Sequence, residues 1–306
     1  MFREIWVIYN EQAGWHKRKT VESVITALEK KQTLVRLCRT TYAGHAELWA
    51  AEACRQGVDL LVVAGGDGTL NEAINGIYKE PVATRPLLAI YPSGTINLIA
   101  KELAVSEDAQ KFIDMLWQCQ EIKAWPGLAN GRYFLANVGA GFDGWVVHRV
   151  SKILKWWISK WAYAWQLLRL LLRRRWKRSY QVMVDGELVA KDASAVVVAK
   201  GRYYAGVHHA VYESRLEKEK LQVCVFRKRS VKIIFEYIRW LSQDRLPQHP
   251  DVYVCAAREV VIQGGGNGDR QMDGDVFPDG TLQLQIAAAP VRMLRGKAEG
   301  MDINVE

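Results

Sequence analysis

Short apolar runs alternate with amphipathic stretches along the first part of the chain. Continuous apolar runs are typical of strands buried on both faces, whereas apolar side chains that recur every three or four positions indicate helices. The predicted strands are residues 5–9, 33–37, 58–64 and 87–91, and the predicted helices are residues 21–28, 45–55 and 70–78. Strands that alternate with helices predict a parallel sheet covered by helices on both faces.

From about residue 127 the pattern changes to short strands separated by turns, which predicts antiparallel pairing. The predicted strands here are residues 133–136, 180–184, 193–199, 221–226, 260–263 and 282–287. One long helix over residues 151–176 and another over residues 231–241 interrupt them. We therefore expect an α/β protein with a parallel-sheet domain in residues 1–125 and a second, mainly antiparallel β domain in residues 126–306. The C-terminal segment can return to the first domain.

Composition narrows the class of protein. Half of the 306 residues are hydrophobic (49%), which is enough for a sizeable core and excludes a disordered chain. The five cysteines are odd in number and widely spaced, so we expect neither a disulfide framework nor a zinc site. The N-terminus enters a strand without a signal-peptide pattern. We expect a cytoplasmic protein.

The net charge of +9 indicates an anionic partner, such as nucleic acid, nucleotide phosphates or an acidic membrane surface. Much of this charge lies in the predicted helix 151–176 and just beyond it, together with several tryptophans. Such a helix can lie in the lipid interface, with tryptophan at headgroup depth and basic side chains on anionic phosphates. It can equally pack its apolar face on a core. Its charges argue against a transmembrane span.

The strongest local motif is Gly65-Gly66-Asp67-Gly68-Thr69, directly after a predicted buried strand and before a helix. Glycines let backbone N–H groups approach a phosphate, and a helix N-terminus favours negative charge. Asp67 could then order a metal-bound phosphate or accept a proton from an attacking hydroxyl. An ordinary glycine turn with an Asp helix cap explains the same residues.

A second polar loop, Pro92-Ser93-Gly94-Thr95-Ile96-Asn97, follows the next predicted strand. Consecutive strand ends of a parallel sheet lie side by side, so the two loops should adjoin. Two such loops on one edge indicate a nucleotide cradle. The alternative is that Ser93 and Thr95 only cap a helix.

Further motifs follow in a fixed order. They are Asn10-Glu11-Gln12-Ala13-Gly14, Thr40 with Gly44-His45-Ala46, the two glycine loops, Phe134 with Asn137, Gly141-Phe142-Asp143, Gly201-Arg202-Tyr203-Tyr204-Ala205-Gly206 and Asp273-Gly274-Asp275. In this order they resemble the diacylglycerol kinase catalytic family, which includes sphingosine and ceramide kinases. The resemblance covers nearly the whole chain and is not specific to any one lipid.

The resemblance implies an ATP-dependent lipid kinase whose two domains hold the site at their interface. It implies that Asp67 and Asp275 are catalytic, Asp275 as the general base near the acceptor hydroxyl. The implied nucleotide-binding residues are Asn10, Thr40, Gly65, Gly66, Asp67, Gly68, Thr69, Asn71, Ser93, Gly94, Thr95 and Asn97. Without the resemblance, Asp273-Gly274-Asp275 would be interpreted as a hairpin turn.

The chain departs from the family pattern at three positions. Glu11 replaces a proline, and Leu98 replaces an aspartate that helps to organise the active site. The acidic metal loop expected before Leu221 contains Lys218, whose ammonium cannot ligate a cation. We therefore expect Mg²⁺ with the nucleotide and no separate metal site on the protein. Either Lys218 replaces the charge of that metal, or the chain is a divergent member with weakened catalysis.

The expected partners are ATP, a lipid alcohol such as diacylglycerol and an anionic membrane surface at the inner face of the membrane, with no nucleic acid. The sequence is also compatible with a homodimer. Two other functions are compatible with the motifs. One is a soluble-substrate kinase of the related NAD-kinase type, which the basic tryptophan helix disfavours. The other is a catalytically weak regulator that binds nucleotide or lipid, which Leu98 and Lys218 favour.

Overall fold

A computed structural model gives the fold of two compact units, Met1–Ala124 with Ala289–Glu306, and Trp125–Ala288. The structure describes residues 2–11, 18–31, 33–118, 120–141, 179–204, 208, 211, 213–266 and 270–297. The predicted helix 151–176 lies outside the described residues. Among those residues, no helix has the length and apolar character needed to cross a bilayer.

The first unit contains one sheet with helices around it. Its strands are β1 (Glu4–Tyr9), β2 (Leu34–Arg39), β3 (Leu60–Gly65), β4 (Leu87–Pro92), β5 (Glu121–Ala124) and β18 (Val291–Leu294). The sheet order is β2-β1-β3-β4-β18-β5, and all neighbours are parallel except β18 and β5. Every residue of β3 and β4 is buried, as expected for strands at the centre of such a sheet.

The described part of the first unit contains five α-helices: α1 (Arg18–Glu29), α2 (His45–Arg55), α3 (Asp67–Ile77), α4 (Leu98–Glu102) and α5 (Ala109–Gln118). In α1 the buried side chains are Val21, Val24 and Leu28, which follow the helical period and pack with the apolar residues of β1, β3 and α5. The predicted start of α3 was wrong by three residues, since the helix begins at Asp67 rather than near residue 70. An acidic side chain in a first turn is stabilised by the helix dipole.

The described residues of the second unit form two antiparallel sheets. Its strands are β6 (Gly127–Ala129), β7 (Arg132–Phe134), β8 (Asn137–Gly141), β9 (Tyr180–Val184), β10 (Glu187–Ala193), β11 (Ala195–Ala199), β12 (Leu221–Phe226), β13 (Val252–Ala257), β14 (Glu259–Gly264), β15 (Arg270–Met272), β16 (Asp275–Val276) and β17 (Leu282–Ile286). The sheet orders are β10-β9-β14-β17-β6-β7 and β13-β12-β11-β8-β15-β16. One apolar cluster joins side chains of both sheets, including Val182, Ile262, Val196 and Val223.

A helix, α6 (Val231–Ser242), covers the other face of the second sheet. Its Ile233, Ile234 and Tyr237 pack with Ala195 and Val197 of β11. All five residues of β11 are buried for this reason, although neighbouring side chains point to opposite faces. The predicted fold class, a parallel-sheet N-terminal region followed by a mainly antiparallel β region, is confirmed.

Candidate functional site

The two glycine loops meet at the edge of the first sheet. Strands β3 and β4 are parallel neighbours with Gly65 opposite Pro92, so both chains leave the sheet at the same level. The Gly65 carbonyl accepts hydrogen bonds from the N–H groups of Ser93 at 3.1 Å and Gly94 at 3.3 Å. The adjacency expected from the strand order is therefore observed.

Two glycines bring the loops into backbone contact. A Cβ atom added to Gly94 would lie 2.4 Å from the Gly66 Cα and 2.7 Å from the Asn97 Oδ1. A Cβ on Gly66 would lie 3.3 Å from the Gly94 Cα. No side chain fits at position 94 unless the loops separate. Glycine is thus required here by the close approach of two main chains.

Asp67 ties the first loop to the second. Its Oδ2 accepts a hydrogen bond from the N–H of Leu98 at 2.9 Å, and its Oδ1 accepts one from the N–H of Ile99 at 3.2 Å. Burial raises the pKa of the Asp67 carboxyl, while these two N–H groups lower it. The sequence motif predicts a phosphate, a metal, a proton or a helix cap beside its own glycine turn as the partner of the carboxylate, and does not predict a contact with the second loop. Its first observed role is to hold the start of α4.

Asn10 and Thr69 connect the first loop to the neighbouring strand β1. The Asn10 side chain donates from Nδ2 to Thr69 Oγ1 at 3.0 Å, and its backbone N–H donates to the Ala64 carbonyl at 3.1 Å. Thr69 packs so closely on Gly65 that a Cβ there would lie 2.6 Å from the Thr69 Cβ. Thr40, at the end of β2, donates its N–H to the Tyr9 carbonyl at 2.9 Å. These residues lie along consecutive strand ends.

Two buried oxygen atoms of the second loop have no protein hydrogen-bond partner. They are Ser93 Oγ and Asn97 Oδ1, on side chains that are 1% and 4% exposed. Asn97 adopts the left-handed conformation, with φ 55°, and donates from Nδ2 to the Gly94 carbonyl at 2.9 Å. Leaving such atoms unpaired costs free energy, which a polar ligand that reaches them would recover. A hydroxyl can donate to a phosphate, and an amide oxygen can accept from a ribose or ligate Mg²⁺.

The remaining candidates of the first unit differ in exposure. Gly68 and Thr95 are exposed on the two loops and are accessible to a ligand. Asn71 is buried one turn into α3, where its carbonyl and Oδ1 accept hydrogen bonds from Asn75 Nδ2 at 2.8 and 3.2 Å. The structure thus groups the loop residues together, whereas the Asn71 side chain contacts Asn75 on the next turn of α3.

Comparison with known proteins identifies the family. The model of the diacylglycerol kinase catalytic domain matches residues 4–125, and that of the YegS C-terminal NAD kinase beta sandwich-like domain matches residues 136–295. The chain belongs to the diacylglycerol kinase family. This family of lipid kinases includes curated proteins called diacylglycerol kinase from Staphylococcus carnosus and Staphylococcus saprophyticus, which are 25% and 26% identical over 270 residues. The alignments cover 88% of this chain, and 87% and 88% of those proteins.

A solved structure supports the fold. A diacylglycerol kinase from Bacillus anthracis strain Sterne superimposes with a TM-score of 0.74 and 21% sequence identity. The superposition covers 96% of this chain and 97% of that one. The fold of this diacylglycerol kinase family member is thus shared across both units.

The Asp-Gly-Asp segment of this family member lies in the second unit. Asp273 and Gly274, with φ 48° and 89°, form the tight turn between β15 and β16. The Asp273 carboxylate accepts hydrogen bonds from the N–H groups of Leu135, Ala136 and Asn137 at 2.9 to 3.0 Å. This anchoring role was missed, although an acidic residue beside a glycine is a turn signal. Asp275 itself is exposed on β16.

The segment where the family pattern has its acidic metal loop carries no cluster of acidic ligands. Within the described residues, no group of three or more His, Cys, Asp or Glu side chains could hold a metal ion. The Lys218 ammonium is half-exposed and lies 3.7 Å from the Glu213 carboxylate. The idea that Lys218 replaces a metal charge stays a prediction, and the partner observed for its ammonium is Glu213. Phe142, Asp143, Ala205 and Gly206 lie outside the described residues.

Proposed function

We propose that this chain is an ATP-dependent lipid kinase that transfers the γ-phosphate of ATP to the hydroxyl of a lipid such as diacylglycerol. The observation that carries the proposal is the pair of glycine loops in backbone contact, with buried Ser93 Oγ and Asn97 Oδ1 left for a ligand. Family membership supplies the class of acceptor.

The proposed nucleotide site uses the loop residues in distinct ways. The N–H groups at Gly66, Gly68 and Thr95 approach the phosphates, which the start of the eleven-residue helix α3 favours electrostatically. Ser93 donates to a phosphate oxygen, and Asn97 Oδ1 accepts from the ribose or ligates the cation. The surrounding strand ends are formed by Asn10, Thr40 and Gly65, and the adjoining start of α3 contains Thr69 and Asn71. Mg²⁺ bound with ATP would neutralise charge that develops on the transferred phosphoryl group.

Asp67 and Asp275 have different proposed roles. Asp67 positions the second loop and adds negative charge beside the cation that accompanies the phosphates. Asp275 accepts the proton of the lipid hydroxyl as the phosphoryl group moves to its oxygen. Asp275 is one methylene shorter than the glutamate of the family pattern. The tight Asp273-Gly274 turn directly precedes Asp275 and determines the position of its backbone.

Asp275→Asn should lower turnover by about 100-fold, because the amide cannot accept the hydroxyl proton. Its melting temperature should stay within error of wild type, since Asp275 is exposed. Glu187→Gln, at another exposed acidic position of the same unit, is the matched control and should retain activity. Full turnover in Asp275→Asn would remove Asp275 from the mechanism.

The test of the function is transfer of label from γ-³²P-ATP with Mg²⁺ to candidate acceptors. Diacylglycerol, a sphingoid base and ceramide in mixed micelles are compared with NAD in solution. Labelled lipid and unlabelled NAD are expected. Labelled NAD would instead indicate the soluble-substrate kinase.

A catalytically weak regulator is the second candidate, favoured by a specific observation. Both oxygens of Asp67 already accept hydrogen bonds from Leu98 and Ile99, which reduces what this carboxylate can offer a cation. In that case nucleotide would bind with no label transferred to any acceptor.

We further propose that the protein is cytoplasmic and binds the inner face of the membrane peripherally. The support is the basic run at Arg173, Arg174, Arg175, Lys177 and Arg178, which lies outside the described residues. Each such side chain contributes about 1 kcal/mol of attraction to an anionic surface. Replacing Arg173, Arg174 and Arg175 by Gln should weaken sedimentation with phosphatidylglycerol vesicles by roughly two orders of magnitude at low salt. Wild-type sedimentation by the triple variant would contradict this proposal.

A further inference from the structure

Lys200 is a buried lysine whose ammonium ends inside a ring of backbone carbonyls. The side chain is 1% exposed and follows the fully buried strand β11. Its Nζ donates to the carbonyls of Arg215 at 2.5 Å, Lys218 at 2.9 Å and Leu216 at 3.2 Å. An ammonium has three donors, and all three have a carbonyl acceptor here. These charge-assisted hydrogen bonds offset the cost of burying the charge.

The carbonyls belong to the loop before β12, and other backbone groups hold two of them in place. The Arg215 carbonyl also accepts the N–H of Lys218 at 3.2 Å, which closes a turn. The Leu216 carbonyl also accepts the N–H of Trp125 at 2.8 Å. Three oxygen atoms therefore converge on one point, an arrangement that attracts a cation.

The residues of this loop do not fit a divalent metal. Mg²⁺ takes about six oxygen ligands in near-octahedral geometry, usually with carboxylates among them. Two carboxylates of the segment are engaged in surface ion pairs: Glu213 lies 3.7 Å from Lys218, and Glu219 lies 3.2 Å from Arg258. The place where an ion would meet the carbonyls is filled by the Lys200 ammonium.

We infer that Lys200 is the built-in cation of the loop formed by residues 215–218, so that this chain holds the loop without a divalent ion. A covalently attached charge cannot be removed by a chelator or diluted away. The loop is thereby independent of the metal supply, whatever reaction the protein carries out.

Lys200 also links this loop to other parts of the second unit. Its backbone N–H and that of Gly201 donate to the Ala136 carbonyl at 2.8 and 2.9 Å. The Ala136 N–H in turn donates to the Asp273 carboxylate at 2.9 Å. Lys200 therefore contacts the carbonyl loop through its ammonium and, through its backbone, a chain of hydrogen bonds that ends at the Asp273-Gly274 turn.

The first arm of the test uses the full wild-type chain without nucleotide. Its melting temperature is measured in EDTA and in a titration with Mg²⁺ or Ca²⁺. The same melting temperature is expected under all conditions, because the Lys200 ammonium already occupies the place of a cation. A cation that did bind the native state would raise the melting temperature. A saturable rise with either cation, or a fall in EDTA, would overturn the inference, and this arm does not depend on any variant.

The second arm removes the ammonium. Lys200→Met keeps the length of the side chain but removes the charged donor that three carbonyls share, and should lower the melting temperature by about 5–10 °C. Lys220→Met, at an exposed lysine two residues beyond the carbonyl loop, is the matched control and should melt like wild type. Equal melting of Lys200→Met and this control would overturn the inference.

The third arm restores a cation by another route. An Asp side chain with an ion bound to its carboxylate is about as long as a lysine side chain, so Lys200→Asp provides oxygen ligands at the vacated point. Its melting temperature should be low in EDTA and rise saturably with Ca²⁺, whereas that of Lys200→Met should not respond. If no cation changes the melting temperature of Lys200→Asp, the carbonyls form no cation site, and this result would overturn the inference.

Discussion

Gly94→Ala should reduce kcat/KM for phosphate transfer by at least about 10²-fold, because the new methyl group separates the two loops by about 1 Å or more and misplacement on that scale is costly. The added Cβ would lie 2.4 Å from the Gly66 Cα, and that backbone atom cannot rotate away as a flexible side chain could. The nearby Asn97 Oδ1, at 2.7 Å, would also be displaced. Steady-state kinetics with γ-labelled ATP and a micellar lipid measure the loss.

Gly68→Ala provides the comparison at another glycine of the paired loops, at which an added Cβ causes no backbone clash. A Cβ at Gly68 meets nothing within 4 Å, and the residue lies inside helix α3. Replacement of a helical glycine by alanine should raise the free energy of unfolding by about 0.5–1 kcal/mol. ATP binding should nevertheless weaken, since the proposed phosphates approach this backbone. Wild-type kinetics in Gly94→Ala would show that the contact between the loops has no part in catalysis.

Asp67→Asn should leave a folded protein whose turnover falls by about 10²–10³-fold, the scale seen when a preorganised polar group is removed from an active site. An amide offers one oxygen where the carboxylate offers two, so either Leu98 or Ile99 loses its acceptor. The second loop then loses part of its anchor, and the cation loses a neighbouring negative charge. These hydrogen bonds therefore add a structural contribution to the effect of the variant on phosphate and metal.

That structural contribution has its own measurable size. One backbone N–H left without an acceptor costs about 1–3 kcal/mol, which should lower the melting temperature of Asp67→Asn by several degrees. Circular dichroism at 25 °C should still show a native spectrum. Unchanged turnover in Asp67→Asn would exclude the carboxylate from both roles.

Local patterns predicted the elements that place the loops. The apolar runs predicted β3 and β4, and the helix expected at residues 45–55 is observed at His45–Arg55. The alternation of strands with helices predicted the parallel pairing of β3 and β4. This pairing places the two loops side by side. The buried strand, the glycines and the polar loop residues are neighbours in sequence, so periodicity and composition reveal them.

Contacts between distant residues could not be predicted in this way. Asp67 and Leu98 are 31 positions apart, and Lys200 and Arg215 are 15 apart. Nothing in a local window distinguishes a lysine that enters a core from one that reaches solvent. Strand β18 was not predicted either, because four residues are too few for a reliable period and its place beside β4 depends on the rest of the sheet.

The most direct test of the central claim, that nucleotide phosphates bind at the paired glycine loops, is hydrogen exchange measured by mass spectrometry. The full chain is compared with and without a non-hydrolysable ATP analogue and Mg²⁺. We expect slower exchange in peptides that cover residues 65–69 and 93–97, because their N–H groups would bind phosphate oxygens. Unchanged exchange in both peptides at saturating nucleotide would contradict the account.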